Sequence, residues 1–217
     1  MQELTNYIKY IALASAIINT IFFYKYAGGR AKYFLFSIWF IAVTEFSYRF
    51  FYYYVFNEDI SSSKIVVNTY TLVQFSFYFL WYRYLMKNQV NRRLTLTFLG
   101  LFYLSFILIS IFLQGFTVIT QSYVYTIGMI FLVVIIILYF MEILASEFTL
   151  QFGRSVYFWF SLGLLLFHVP FMPFMFIAEY LKFNQSIPYA VVLFGLNLIM
   201  HGCFIFGVLW SKKKYNF

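Results

Sequence analysis

The chain has 217 residues, of which 64% are hydrophobic, 26% aromatic and only 10% charged, against about 25% charged in an ordinary soluble domain. With a mean hydropathy of +0.82, a soluble fold would carry large exposed apolar patches. A soluble enzyme, a disordered chain and a disulfide scaffold are therefore excluded, and an all-α polytopic membrane protein is left.

A membrane helix needs about 20 apolar residues to cross roughly 30 Å. Seven runs fit, at about 6–25, 33–56, 65–86, 94–114, 121–146, 155–180 and 187–211. They are too long and unbroken for barrel strands. The expectation is one integral membrane domain over 1–217, a seven-helix bundle. Short polar pieces separate the runs: 27–30, 57–63, 87–93, 114–115, 147–153 and 182–188. The break at Gln114-Gly115 is the weakest, and the count of seven depends on it. The opening residues MQELTNYIKY lack a basic n-region and a small-residue cleavage site, so the first run is expected to be retained.

Basic residues orient such a bundle, because Lys and Arg collect on the cytoplasmic side. Lys25, Arg30, Lys32, Arg83, Lys87, Arg92, Arg93, Arg154 and Lys212 to Lys214 fall on one side, eleven in all, against Lys9, Lys64 and Lys182 on the other. Arg49 lies inside a run. The 11:3 bias predicts an inner membrane protein with its N-terminus out and its C-terminus in. The +8 net charge serves this orientation, and nucleic acid is not an expected partner.

Ionisable and polar groups inside a span are costly and normally face the bundle interior, which makes each a candidate. In span 2, Glu45 and Arg49 stand at i and i+4, the favourable order for a helical ion pair. In span 3, Asn68, Thr71, Gln74 and Tyr78 form a polar stripe. In span 6, Ser161, His168, Met172 and Glu179 share one face, and Pro170 and Pro173 loosen the backbone behind the histidine. In span 7, Asn197 and His201 are again i and i+4. These residues point to a polar pocket among spans 2, 3, 6 and 7. For each of them a packing or hydrogen-bonding role competes with a ligand or proton site. Glu142 is read as interfacial, and the lone Cys203 as a packing residue.

Several chemistries fail on the residues. Span 7 has no lysine for a retinal Schiff base, and HExxH, GxSxG and P-loop motifs are absent. Glu45-Phe46-Ser47-Tyr48-Arg49 reads E-x-x-x-R, which resembles one motif of the CAAX-type intramembrane proteases. The second glutamate of that family is Thr44 here, Leu164 stands four before His168 where the family has Phe, and Asn197 and His201 come in reversed order. No cofactor or metal site is expected.

Three stretches carry a wider resemblance: Thr44-Glu45-Phe46, Asn68 to Phe75 (NTYTLVQF) and Phe158 to Gly163 (FWFSLG). Together they resemble small seven-span membrane proteins of Bacteroidota, in some of which a similar unit precedes a histidine-kinase domain. Gln74 stands where that family often has Glu. The resemblance implies a sensory or partner-binding membrane module, working without an output domain of its own. The expected partners are the lipid bilayer and either another membrane protein or a small or lipid-like ligand. An intramembrane enzyme acting on lipid or peptide, or a small-solute transporter, is the alternative.

Overall fold

The computed structural model describes residues 2–50, 60–113, 115–116, 121–145, 149–180 and 187–216. Among them run seven α-helices: α1 (Gln2–Ile21), α2 (Phe34–Phe50), α3 (Ile60–Leu85), α4 (Gln89–Phe112), α5 (Ser122–Leu144), α6 (Val156–Tyr180) and α7 (Ile187–Trp210). No strand occurs among the described residues. Four helices are long and apolar enough to cross a membrane, over Gln89–Phe112, Ser122–Leu144, Val156–Phe174 and Pro188–Trp210.

The elements follow the seven runs with shifted ends. The polar run at 60–63 is the first turn of α3, and the polar residues after Lys87 open α4. Asn88 explains the second shift: it is the N-cap of α4, its side chain accepting from the Val90 amide at 2.8 Å. The helix is broken between Phe112 and Ser122, as the Gln114-Gly115 turn required, although Gln114 itself lies outside the described residues. Residues 51–59 and 181–186 also lie outside them.

The chain divides into two compact units, one of Met1–Val43 with Ile143–Phe217 and one of Thr44–Glu142. In the first, α6 and α7 are antiparallel partners. The Lys212 amide donates to the Arg154 carbonyl at 3.0 Å at one end, and the Phe174 and Tyr189 rings stack at 5.4 Å towards the other. Glycine permits the close approach: a Cβ on Gly207 would lie 2.4 Å from the Trp159 Cβ, and one on Gly163 would lie 2.9 Å from the Met200 carbonyl. Small residues at such contacts let helices gain dispersion energy where lipid supplies no hydrophobic drive.

Helix α1 packs along α7. Its buried residues Ile8, Ala12, Ser15, Ala16 and Asn19 form one stripe at helical spacing. Phe34 from α2 closes this core, stacking on Phe160 at 4.3 Å and meeting Phe204 edge-on at 5.2 Å. In the second unit α3 and α4 form a helical hairpin, with the Phe75, Phe79 and Phe102 rings packed at 5.6–6.1 Å.

Gly207→Ala should lower stability by roughly 1–3 kcal/mol, the usual range for an over-packed contact. Gly195→Ala has open space around it and should change stability by less than about 0.5 kcal/mol. Thermal unfolding in detergent measures both.

Candidate functional site

In the second unit the polar stripe of α3 is buried: Asn68, Thr71, Gln74 and Tyr78 are all at or below 8% exposure. Its members have local work. Asn68 donates from Nδ2 to the Phe116 carbonyl at 2.7 Å and accepts at Oδ1 from the Gln121 amide at 3.0 Å. It therefore ties down both ends of the α4–α5 connection and supplies an acceptor to the start of α5. Gln121 in turn donates from Nε2 to Ser110 Oγ at 2.6 Å. Gln74 donates to the Tyr78 hydroxyl at 2.8 Å, and Thr71 to the Val67 carbonyl at 3.0 Å.

Glu142 has a larger role than an interfacial one. Its Oε1 accepts from the Lys87 and Asn88 amides, and its Oε2 from Asn91 Nδ2 at 3.3 Å. A carboxylate there satisfies open amides at the start of α4 and complements the positive end of the helix dipole.

In the first unit, His168 is buried on α6, and its Nδ1 lies 2.8 Å from the Leu164 carbonyl. A carbonyl can only accept, so Nδ1 donates in this bond. Pro170 and Pro173 lie within α6; lacking amide hydrogens, they cannot donate to the carbonyls one turn back. Asn197 donates to the Leu193 carbonyl of its own helix at 2.8 Å.

His201 differs from these. It is fully buried, and neither ring nitrogen has a hydrogen-bond partner among the described residues. Its ring meets Phe204 edge-on at 5.6 Å. Helix α1, packed along α7, holds three further orphans, Asn6 Oδ1, the Ser15 hydroxyl and Asn19 Oδ1, the last two on fully buried residues. Asn19 uses its Nδ2 on the Ser15 carbonyl at 2.9 Å. The ends of α1 and α7 meet where Lys25 Nζ donates to the Val208 and Leu209 carbonyls at 2.9 and 2.8 Å.

The same end of this unit is clasped by Asn216, which is fully buried. Its Oδ1 accepts from the Val156 amide at 2.8 Å, capping α6, and its Nδ2 donates to the Lys25 carbonyl at 3.1 Å. Its own carbonyl accepts from the Tyr157 hydroxyl at 3.2 Å, and that hydroxyl accepts from the Ala31 amide at 3.0 Å. A Cβ on Gly29 would lie 1.7 Å from the Asn216 carbonyl oxygen, so only glycine fits there. Tyr26, buried beside the clasp, donates to the Asn19 carbonyl at 3.0 Å, and burial raises its phenol pKa well above the usual value, keeping it a donor.

The eight candidates thus fall four and four. Glu45, Arg49, Asn68 and Gln74 belong to the second unit, and His168, Glu179, Asn197 and His201 to the first. Glu45 is exposed on α2. The side chains of Arg49 and Glu179 lie outside the described ones. Ser15, Asn19, Lys25 and Asn216 were missed in the sequence. The first two had a signal, since Ala12, Ser15, Ala16 and Asn19 repeat at helical spacing. Among the described residues no His, Cys, Asp and Glu cluster could hold a metal. No family model matches the chain, and no curated protein or solved structure matches it significantly.

Asn68→Ala should destabilise the protein by about 1–3 kcal/mol, the usual cost of leaving buried hydrogen-bonding groups unpaired. Asn68→Asp keeps the acceptor for Gln121 but sets a buried carboxylate oxygen against the Phe116 carbonyl, so a loss at least as large is expected at neutral pH. Chemical denaturation followed by tryptophan fluorescence measures both.

Proposed function

We propose that the chain is a seven-span inner-membrane module, N-terminus out, that senses or binds a partner through a polar site in the interior of α1, α6 and α7. The observation that carries this reading is His201. A buried imidazole with neither nitrogen paired is rare, and such groups in native proteins call for an explanation. Two more unpaired oxygens, on Ser15 and Asn19, lie on the helix packed against it. Together they offer an imidazole, a hydroxyl and an amide oxygen to a small ligand or to the polar group of another membrane protein. His168 and Asn197 bond to their own helices and would shape the site rather than bind. The resemblance to membrane units that precede histidine kinases favours a signalling role.

His201→Phe tests the site. It removes unpaired buried nitrogens, so the variant should fold with stability equal to or above that of the parent. A partner or ligand that copurifies stoichiometrically with the parent in mild detergent, identified by mass spectrometry, should then be missing. A variant that retains it in full would defeat the reading, and a chemically altered copurified lipid would favour an intramembrane enzyme.

Orientation rests on the 11:3 charge bias. With Cys203 replaced by Ala, single cysteines at Asp59 and Asn184 should label with an impermeant thiol reagent once the outer membrane is permeabilised. Cysteines at Lys32 and Val90 should not. The reverse pattern would contradict the N-out arrangement.

A further inference from the structure

The clasped end of the first unit brings together three segments that are distant in sequence: the connection between α1 and α2, the start of α6, and the residues after α7. Arg30, Lys32, Lys212, Lys213 and Lys214 are all exposed on them. Arg154 lies over the Trp210 ring at 3.9 Å, which turns its guanidinium into part of the same rim. No Asp or Glu occurs in 22–34, 149–157 or 208–216.

This surface is fixed rather than a loose basic tail. Asn216 bonds to both Val156 and Lys25, and the Lys212 amide bonds to Arg154. The glycine contact at Gly29 sets the Arg30–Tyr33 turn directly against the turn that carries Lys213 and Lys214. Aromatic side chains flank the cations: Tyr24, Tyr33 and Trp210 are 46–60% exposed. Exposed Tyr and Trp settle at the headgroup level of a bilayer, where one edge of the ring is apolar and the other wet. Basic surfaces at helix ends suit anionic phospholipid headgroups for the same electrostatic reason.

We propose that this end of the protein is a binding site for an anionic phospholipid headgroup, held by Arg30, Lys32 and Lys212 to Lys214. The phosphate would lie among cations from two chain segments that Asn216 holds together, while the acyl chains run down the apolar helices. The inference rests on the membrane reading above, though not on its orientation.

The test uses the full chain in a nonionic detergent, offered equal amounts of dioleoylphosphatidylglycerol and dioleoylphosphatidylcholine, with bound lipid counted by native mass spectrometry. Each cation near an anionic surface is worth roughly a fivefold change in partition, so the parent should retain phosphatidylglycerol over phosphatidylcholine by about tenfold or more. K212Q/K213Q/K214Q and R30Q/K32Q should each lower that preference at least about fivefold. K87Q/R93Q, which removes two exposed cations of the other unit, should leave it unchanged. Equal retention of the two lipids, or an equal loss in K87Q/R93Q, would overturn the proposal. Displacement of the lipid by inorganic phosphate at equal concentration would overturn it in favour of a free-anion site. A chain that stays monodisperse without detergent would instead overturn the membrane reading beneath it.

Discussion

Every helix leaves about four amides open at its start and about four carbonyls open at its end. A chain this apolar has few polar side chains with which to close them, and in hydrocarbon no water can substitute. Here those few side chains reach helix ends from far away in the sequence. Asn216 caps α6, Glu142 accepts from the amides at the start of α4, and Asn68 serves the start of α5. Lys25 does the opposite task, its amine donating to the carbonyls at the end of α7. These bonds fix where each helix begins and ends relative to its neighbours within its unit. The interior can then consist of rings and small residues without losing its register.

The same constraint sorts the polar residues by use. Asn68, Gln74, His168 and Asn197 each have a named partner within their own unit. Subtracting such residues leaves the buried nitrogens of His201, the oxygens of Ser15 and Asn19, Asn6 Oδ1 and Arg83 Nε as groups whose hydrogen-bonding capacity the described fold does not use. Burying them unpaired costs stability. The exposed cations of the clasped end are a second excess, positioned by Asn216 but not needed for the caps themselves.

The helices were legible in the sequence because apolar run length reports directly on them. Even the weak break at Gln114-Gly115 fell where α4 ends and before α5 begins. The α3 stripe was legible because residues three and four apart share a face. What periodicity cannot report is a partner on another element. Asn216 bonds to Lys25 across 191 positions and to Val156 across 60, and no local pattern marks it. The bonds of Glu142 were hidden for the same reason, since its partners lie 51–55 positions away.

Amide hydrogen exchange in Asn216→Ala tests most directly whether long-range caps hold the helix ends. Losing the hydrogen bond to its Oδ1, net about 0.5–1.5 kcal/mol, should speed exchange up to about tenfold at Val156, while amides in the middle of α6 and throughout α3 and α4 keep the parent rates. Unchanged protection at Val156, or a uniform loss over the whole chain, would contradict the account.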